Sequence, residues 1–367
     1  MKVICQGLDL SDAVLKVSRA LPNKSMTPAL EGIKLTAKED NLIISATDTD
    51  LSIQIIINAE VLREGTALVP GKLFTEYIRK LTNEQIELGL NERKQIIIKY
   101  TDSEGVIQCL DDEEYPPLKR IDDAEKILVA EEYLRDAIEK VIFAVSTDDA
   151  RPNIKGVLFE IEEYTLTAVA LDGYRLAMCK KPLETKAEAI NAIVPPRSLN
   201  ELAKLLVNDD NIATVFINGN YMFVDLGHTV LCTKLLTGEF IKYRQILPSE
   251  FSTVIELNKN QFETALDRTS ILSRAEKNNL VKFDVKEGVL TLSSNSEIGN
   301  IKENLTISLK GKDLAVSFNA RYFADCLRVM NNEFVKIKFT SPMTPTIMTP
   351  CETDELTYLV LPVRTTN

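Results

Sequence analysis

The chain has 367 residues, with 43 Lys+Arg against 54 Asp+Glu for a net charge of −11, and 45% of it is hydrophobic. That length exceeds what one core usually serves, so two or three domains are expected, and the acidic balance speaks against a protein that grips nucleic acid by bulk positive charge. One histidine, His228, and six cysteines that never fall in a Cys-x-x-Cys spacing leave little for histidine catalysis, a metal site or a redox pair, so neither cofactor nor metal is expected.

The N-terminal MKVICQGLDLSD reaches charge too early for a signal peptide, and no apolar run approaches the ~18 residues of a membrane span. A soluble, cytoplasmic protein with reduced thiols and no membrane partner is expected. LSDAVLKVSRAL (10–21) repeats apolar residues at three and four positions and predicts a helix with Ser11 and Asp12 in its first turn. GIKLTAKEDNLIISATDTDLS, from Gly32, alternates apolar and polar residues across a short turn and predicts a hairpin. Val69-Pro70-Gly71 opens a second helix to about Lys80, and QIIIKY follows as a strand.

The same scheme then recurs. LRDAIEKVIFAV (134–145) and GVLFEIEEYTLTAVALDGYRL, from Gly156, lie 124 residues beyond their counterparts, and Asp172 falls on Asp48. Val194-Pro195-Pro196 opens a helix to Leu206, followed by TVFING. FETALDRTSIL (262–272) comes 128 residues on, LVKFDVKEGVLTLSSNSEIGN, from Leu280, returns to 124, and Phe318-Asn319-Ala320 opens a helix to Met330 before FVKIKF. Three collinear matches predict three tandem α+β domains at 1–122, 123–248 and 249–367, each with two helices and two groups of strands. Sheets would form one surface and helices the other. A curved chain of this kind could close into a ring by one dimerisation step.

Several segments carry a resemblance: LDGYRL (171–176), IVPPRSLNEL (193–202), YRQILP (243–248), SPMTP (341–345) and YLVLPVR (358–364). Together they resemble the beta subunit of bacterial DNA polymerase III, the DNA sliding clamp, along essentially the whole chain. The resemblance implies the clamp fold and a head-to-tail, ring-shaped homodimer around duplex DNA, with helices lining the hole and antiparallel sheets outside. It implies a non-catalytic processivity factor in the bacterial cytoplasm, at the nucleoid. Its partners would be DNA of any sequence, a second copy, the clamp loader, and the replicative polymerase, other polymerases and repair proteins through short linear peptides.

By the same resemblance, Ile154, Leu171, Gly173, Tyr174, Arg175 and Leu176 form one wall of a peptide-binding cleft. Ile241, Gln245 and Ile246 form the linker side, and Leu359, Val360, Leu361, Pro362, Val363 and Arg364 the C-terminal strand. Read without it, LDGYRL is a tight turn and YLVLPVR a last buried strand. Three departures bear on the cleft: Leu171 replaces a common Thr, Phe240-Ile241-Lys242-Tyr243-Arg244-Gln245 replaces Phe-Pro-Asp-Tyr-Arg-Arg, and Thr365-Thr366-Asn367 follow the last Arg.

A ring that slides should touch phosphates and not base edges. The six predicted helical windows hold 12 Lys/Arg and 8 Asp/Glu, which predicts a basic lining within an acidic shell. The resemblance places Lys24, Lys72, Arg197, Arg274 and Lys277 at or near the lumen and Arg151 on a loop facing DNA, each otherwise a solvated surface charge. It places Ile107 on one side of the dimer contact and Ile271 and Leu272 on the other, residues that ordinary core packing would equally explain.

His228 reads as a hairpin residue, Asp172 as a turn-stabilising carboxylate beside Arg175, and the acidic run 111–114 as solvated surface. Two classes remain: a DNA-encircling ring that recruits peptides, and a repeat-built enzyme or ligand-binding protein using a groove between units. The scarcity of catalytic groups favours the first.

Overall fold

The computed structural model describes residues 1–82, 84–119, 125–207, 210–273 and 279–364. Arg274 and Lys277, together with the terminal Thr365–Asn367, lie outside them. The repeat is written into the backbone. Glu39, Glu163 and Glu287 have φ of 53°, 53° and 52°, a left-handed conformation that costs a residue with a Cβ about 1 kcal/mol. Their spacing of 124 residues makes them one hairpin turn used three times. A second turn repeats at the same interval. Asp48 Oδ1 accepts from the N–H groups of Asp50 (3.1 Å) and Leu51 (2.8 Å), and Asp172 Oδ1 accepts from those of Tyr174 (2.9 Å) and Arg175 (3.1 Å). The carboxylate takes up donors that the tight turn leaves unpaired, which is why Asp holds both positions.

In chain order the first elements are β1 (Lys2–Gln6), α1 (Gly7–Val17), β2 (Gly32–Lys38), β3 (Asn41–Thr47), β4 (Leu51–Asn58), β5 (Glu60–Arg63) and β6 (Gly65–Pro70). Next come α2 (Gly71–Ile78), β7 (Gln85–Leu90), β8 (Gln95–Tyr100), β9 (Ser103–Gln108), β10 (Ile127–Ala130) and α3 (Glu131–Glu139). The middle continues with β11 (Val157–Leu171), β12 (Arg175–Val194), α4 (Pro196–Leu205), β13 (Ile212–Asn218), β14 (Tyr221–Asp225) and β15 (Thr229–Lys234). The last part holds β16 (Thr253–Asn258), α5 (Lys259–Ser273), β17 (Leu280–Lys286), β18 (Val289–Ser296), β19 (Gly299–Thr306) and β20 (Ser308–Gly311). It ends with β21 (Leu314–Asn319), α6 (Ala320–Val329), β22 (Phe334–Phe339), β23 (Thr346–Pro350) and β24 (Leu356–Val360).

The chain forms two compact units. The first, residues 1–132 and 200–235, carries a sheet ordered β5-β1-β7-β8-β9 and another ordered β10-β13-β14-β15-β4-β3-β2-β6. Leu10, Val14 and Val17 of α1 are buried, with α1 packed on β3 and β4. The second, residues 133–199 and 236–367, carries sheets ordered β11-β12-β24-β23-β22-β16-β20 and β19-β18-β17-β21. Its core holds Phe262, Phe283, Phe318 and Phe323, with ring centroids 4.9–6.1 Å apart, and such pairs add about 0.5–1.5 kcal/mol each beyond area burial.

Helix ends differ from those expected. Val69–Pro70, Val194 and Phe318–Asn319 finish strands, and the helices begin just after, Asn319 capping α6 through the Arg321 N–H at 3.0 Å. The helix expected over 134–145 stops at Glu139, and α1 starts earlier, at Gly7. A Cβ on Gly7 would lie 2.0 Å from the Leu81 carbonyl oxygen, so only glycine permits this approach. These shifts overturn the expected charge split. Among the described residues, the six α-helices hold nine Lys/Arg and eleven Asp/Glu within their observed bounds. Asp9, Glu131 and Glu132 occupy first turns, where the helix dipole favours carboxylates, whereas Arg19, Arg79, Lys80 and Lys140 follow the C-terminal ends.

Candidate functional site

In the second unit β24 pairs with β12, setting Leu359 opposite Leu176, and β23 then sets Ile347 opposite Leu359. Leu171 faces Leu176 across the Asp172 turn. These residues join Ile154, Val169, Met178 and Tyr243 in one buried apolar cluster, with Leu236, Phe240, Leu247 and Leu361 half-buried against it. The three segments expected to make the cleft therefore meet.

Gly173 has φ +92°, a left-handed conformation that favours glycine, and the flexible Arg151 guanidinium lies next to it. Beside it Tyr174 is 60% exposed, and its carbonyl accepts from the Leu361 N–H at 2.9 Å. Val363 donates its N–H to the Ser317 carbonyl at 2.8 Å, which ties down the chain end beyond β24. Leu361, Pro362 and Val363 are half-buried, Arg364 is exposed and Val360 is buried in its strand. On the linker, Ile241, Gln245 and Ile246 are exposed while Tyr243 between them is buried. Tyr243 donates its hydroxyl to Glu160, and Arg244 Nη1 reaches the other Glu160 oxygen at 2.9 Å. The result is an apolar floor with an exposed rim of Tyr174, Ile241 and Ile246.

Arg175 is placed differently from the other wall residues. Only 8% exposed, it spends Nε on Asp172 (3.0 Å), Nη1 on Asp325 of α6 (2.6 Å) and Nη2 on the Phe143 carbonyl (2.8 Å). Its guanidinium also lies 4.9 Å from the Tyr322 ring centroid. Burial works against its charge, but the hydrogen bonds and charges of Asp325 and Asp172 outweigh that, raising its pKa above the ordinary arginine value. Arg175 thus supports the wall from beneath. The strand partners Val169, Met178 and Ile347 and the linker's Tyr243 were not singled out from sequence, although the two-residue alternation of Val169 with Leu171 and of Leu176 with Met178 was a usable signal for those two.

The remaining candidates are spread over both units. Lys72 Nζ donates to the Asn23 carbonyl at 3.3 Å, which brings it beside Lys24 in the first unit, and both are exposed. Arg151 pairs with Asp148 at 3.1 Å, and Arg197 is exposed at the second position of α4. Ile107 is half-buried on β9, the last strand of its sheet, beside Val106, which is 51% exposed. Ile271 is 59% exposed near the end of α5, with Leu272 half-buried beside it. Among the described residues no group of three His, Cys, Asp or Glu could hold a metal, and no helix is long and apolar enough to cross a membrane. What the arrangement offers is apolar area with Tyr174, Ile241 and Ile246 exposed at its rim, suited to apolar anchor side chains.

Family models for the DNA polymerase III beta subunit match the chain three times in tandem: the N-terminal domain over residues 1–119, the central domain over 128–242 and the C-terminal domain over 244–364. Beta sliding clamps of Staphylococcus epidermidis and Staphylococcus aureus are each 32% identical over 357 residues, 95% of both chains. Among solved structures, the DNA polymerase sliding clamp of Bacillus subtilis superposes with a TM-score of 0.96 at 29% identity, covering all of both chains. The beta subunit from the DNA polymerase of Streptococcus pyogenes gives 0.95 at 26%, again over all of both chains. With the three-fold repeat of turns and the apolar cleft on its frame, the chain belongs to the family of bacterial DNA polymerase III beta subunits, the sliding clamps.

Proposed function

We propose that two copies of this chain close head to tail into a ring around duplex DNA and serve as a non-catalytic processivity factor in the bacterial cytoplasm, each copy reading as domains 1–122, 123–248 and 249–367. The observation that carries the ring is the pattern of joints between strands. β15 closes on β4 in the first unit and β24 closes on β12 in the second, so the last strand of one repeat twice meets the same strand of a neighbouring repeat. β9 is the counterpart of β15 and β24, and β19 is the counterpart of β4 and the first half of β12. Both end their sheets with an open edge. An open edge of unpaired N–H and C=O groups is a template for another strand, and pairing β9 with β19 of a second copy satisfies both edges twice over. Val106, Ile107, Ile271 and Leu272 then supply the apolar contact.

DNA contact in this reading is weak and sequence-independent, through Lys24, Lys72, Arg151 and Arg197 with Arg274 and Lys277. A net charge of −11 and helices that are not net basic give no bulk electrostatic grip, so retention rests on closure. The clamp loader, the replicative polymerase, other polymerases and repair proteins would dock by short peptides in the cleft of the second unit, with Leu or Phe side chains against Leu176, Leu359 and Leu361.

Sedimentation tests the ring. The chain should run at twice its own mass, and Val106→Glu should weaken the dimer by about tenfold or more by burying an unpaired carboxylate. A monomer at micromolar concentration, or a dimer indifferent to Val106→Glu, would overturn the proposed pairing.

A further inference from the structure

A second concavity, of about 580 Å³, lies wholly within the first unit. One wall is a face of the eight-stranded sheet, where Lys34, Ser45, Gln54 and Val230 stand opposite one another on four successive strands. The segment Tyr115–Lys119 covers this face, and the floor includes Phe223 and Cys232, both buried. Moving 124 residues along the chain carries Lys34, Ser45, Ser52 and Gln54 onto Leu158, Val169, Leu176 and Met178, and carries Lys119 and Phe223 onto Tyr243 and Ile347. All six destinations belong to the apolar cluster beneath the cleft of the second unit. The groove is the same frame with different side chains.

Its chemistry differs in sign and polarity. Lys34 sits 5.3 Å above the Tyr115 ring and Lys119 5.3 Å above the Tyr221 ring. No carboxylate lines the groove among the described residues, on a chain with 54 Asp+Glu. Two ammonium groups flanking aromatic and proline surface, with serine and glutamine hydroxyl and amide groups between them, match carboxylates on either side of one apolar side chain.

We propose that this groove is a second docking site, for a short acidic peptide of a partner protein. Its carboxylates pair with Lys34 and Lys119, and its apolar side chain enters between Phe223 and Pro116–Pro117. The site uses the frame of the cleft but does not depend on that cleft binding peptides.

The test uses the full chain and a fluorescein-labelled peptide, acetyl-Glu-Asp-Phe-Asp-Glu-amide, with a photoreactive benzoylphenylalanine form for cross-linking. Adducts are expected on the groove, at Tyr115, Val230 or Phe223. The uncharged Gln-Asn-Phe-Asn-Gln analogue should bind about tenfold more weakly, and Lys34→Glu with Lys119→Glu should weaken the acidic peptide by a similar factor. Leu361→Glu, in the other cleft, should leave the groove adducts unchanged. Adducts confined to the cleft of the second unit, equal binding of the charged and uncharged peptides to the unmodified chain, or complete displacement by a duplex oligonucleotide would each overturn the proposal. The comparison of the two peptides decides even if the double substitution unfolds the chain.

Discussion

The Asp48 turn of the first unit and the Asp172 turn of the second share their backbone hydrogen bonds, yet the residue that follows each carboxylate by three is Leu51 in one and Arg175 in the other. Leu51 is buried as one more aliphatic side chain of its sheet. Arg175 is buried as a charge and ties the turn to Asp325, 150 residues away, while Tyr174 next to it holds Leu361. The faces beyond the turns diverge in the same way: Lys34, Ser45, Ser52 and Gln54 in the first unit against Leu158, Val169, Leu176 and Met178 in the second. Duplication preserves a backbone because turns and strand pairing constrain it. The chemistry of each copy is then free to differ, since a side chain on an open face answers only to its immediate neighbours.

The largest effect should come from giving the second turn the residue of the first. Arg175→Leu removes the buried cation that Asp172 and Asp325 share and leaves Asp325 with the exposed Arg321 and Arg328. Breaking such a buried pair costs about 3 kcal/mol. Thermal unfolding should show this loss, and Arg175→Leu with Asp325→Asn should recover part of it. An unchanged Tm would mean the guanidinium does not brace the cleft wall.

Ending the chain after Val360 separates strand from cleft. β24 keeps its pairing with β12 and β23, but Leu361 and its hydrogen bond to Tyr174 are lost. Peptides with a Leu-Phe anchor should bind about 100-fold more weakly by fluorescence anisotropy, with the dimer intact, because a few central apolar contacts carry most of the affinity of such sites. Retained affinity would place peptide binding elsewhere.

The smallest effect lies at Thr49, the counterpart of Gly173. Its φ of +82° is a strained choice for a β-branched side chain. Thr49→Gly should stabilise the first unit by about 0.5–1 kcal/mol, seen as a rise in Tm, because relief of strain exceeds the added entropy of the unfolded chain, and a lowered Tm would contradict that.

The repeat was legible in the sequence because Asp48 and Asp172 and the alternation around Gly32, Gly156 and Leu280 are local patterns with local causes. The meeting of LDGYRL with YLVLPVR was legible only through the family resemblance, since pairing of β12 with β24 joins residues almost two hundred positions apart. Helix ends were misjudged because their causes are tertiary: α1 begins where the Leu81 carbonyl admits Gly7, and α2 begins only after β6 has finished pairing with β2. Those misplaced ends created the apparent basic lining, since the windows took in Arg79 and Lys80 and left out Glu131 and Glu132. The bond from Arg175 to Asp325 was not legible, because nothing near Arg175 in sequence announces a partner 150 residues away.

The central claim is that this chain holds DNA by closure, and retention on circular against linear DNA tests it most directly. Protein loaded onto a nicked circle should remain through a wash at high salt, which removes phosphate contacts but not a closed ring, and should run off once the circle is cut. Equal retention before and after linearisation would contradict the account and assign binding to contacts that the charge distribution does not provide.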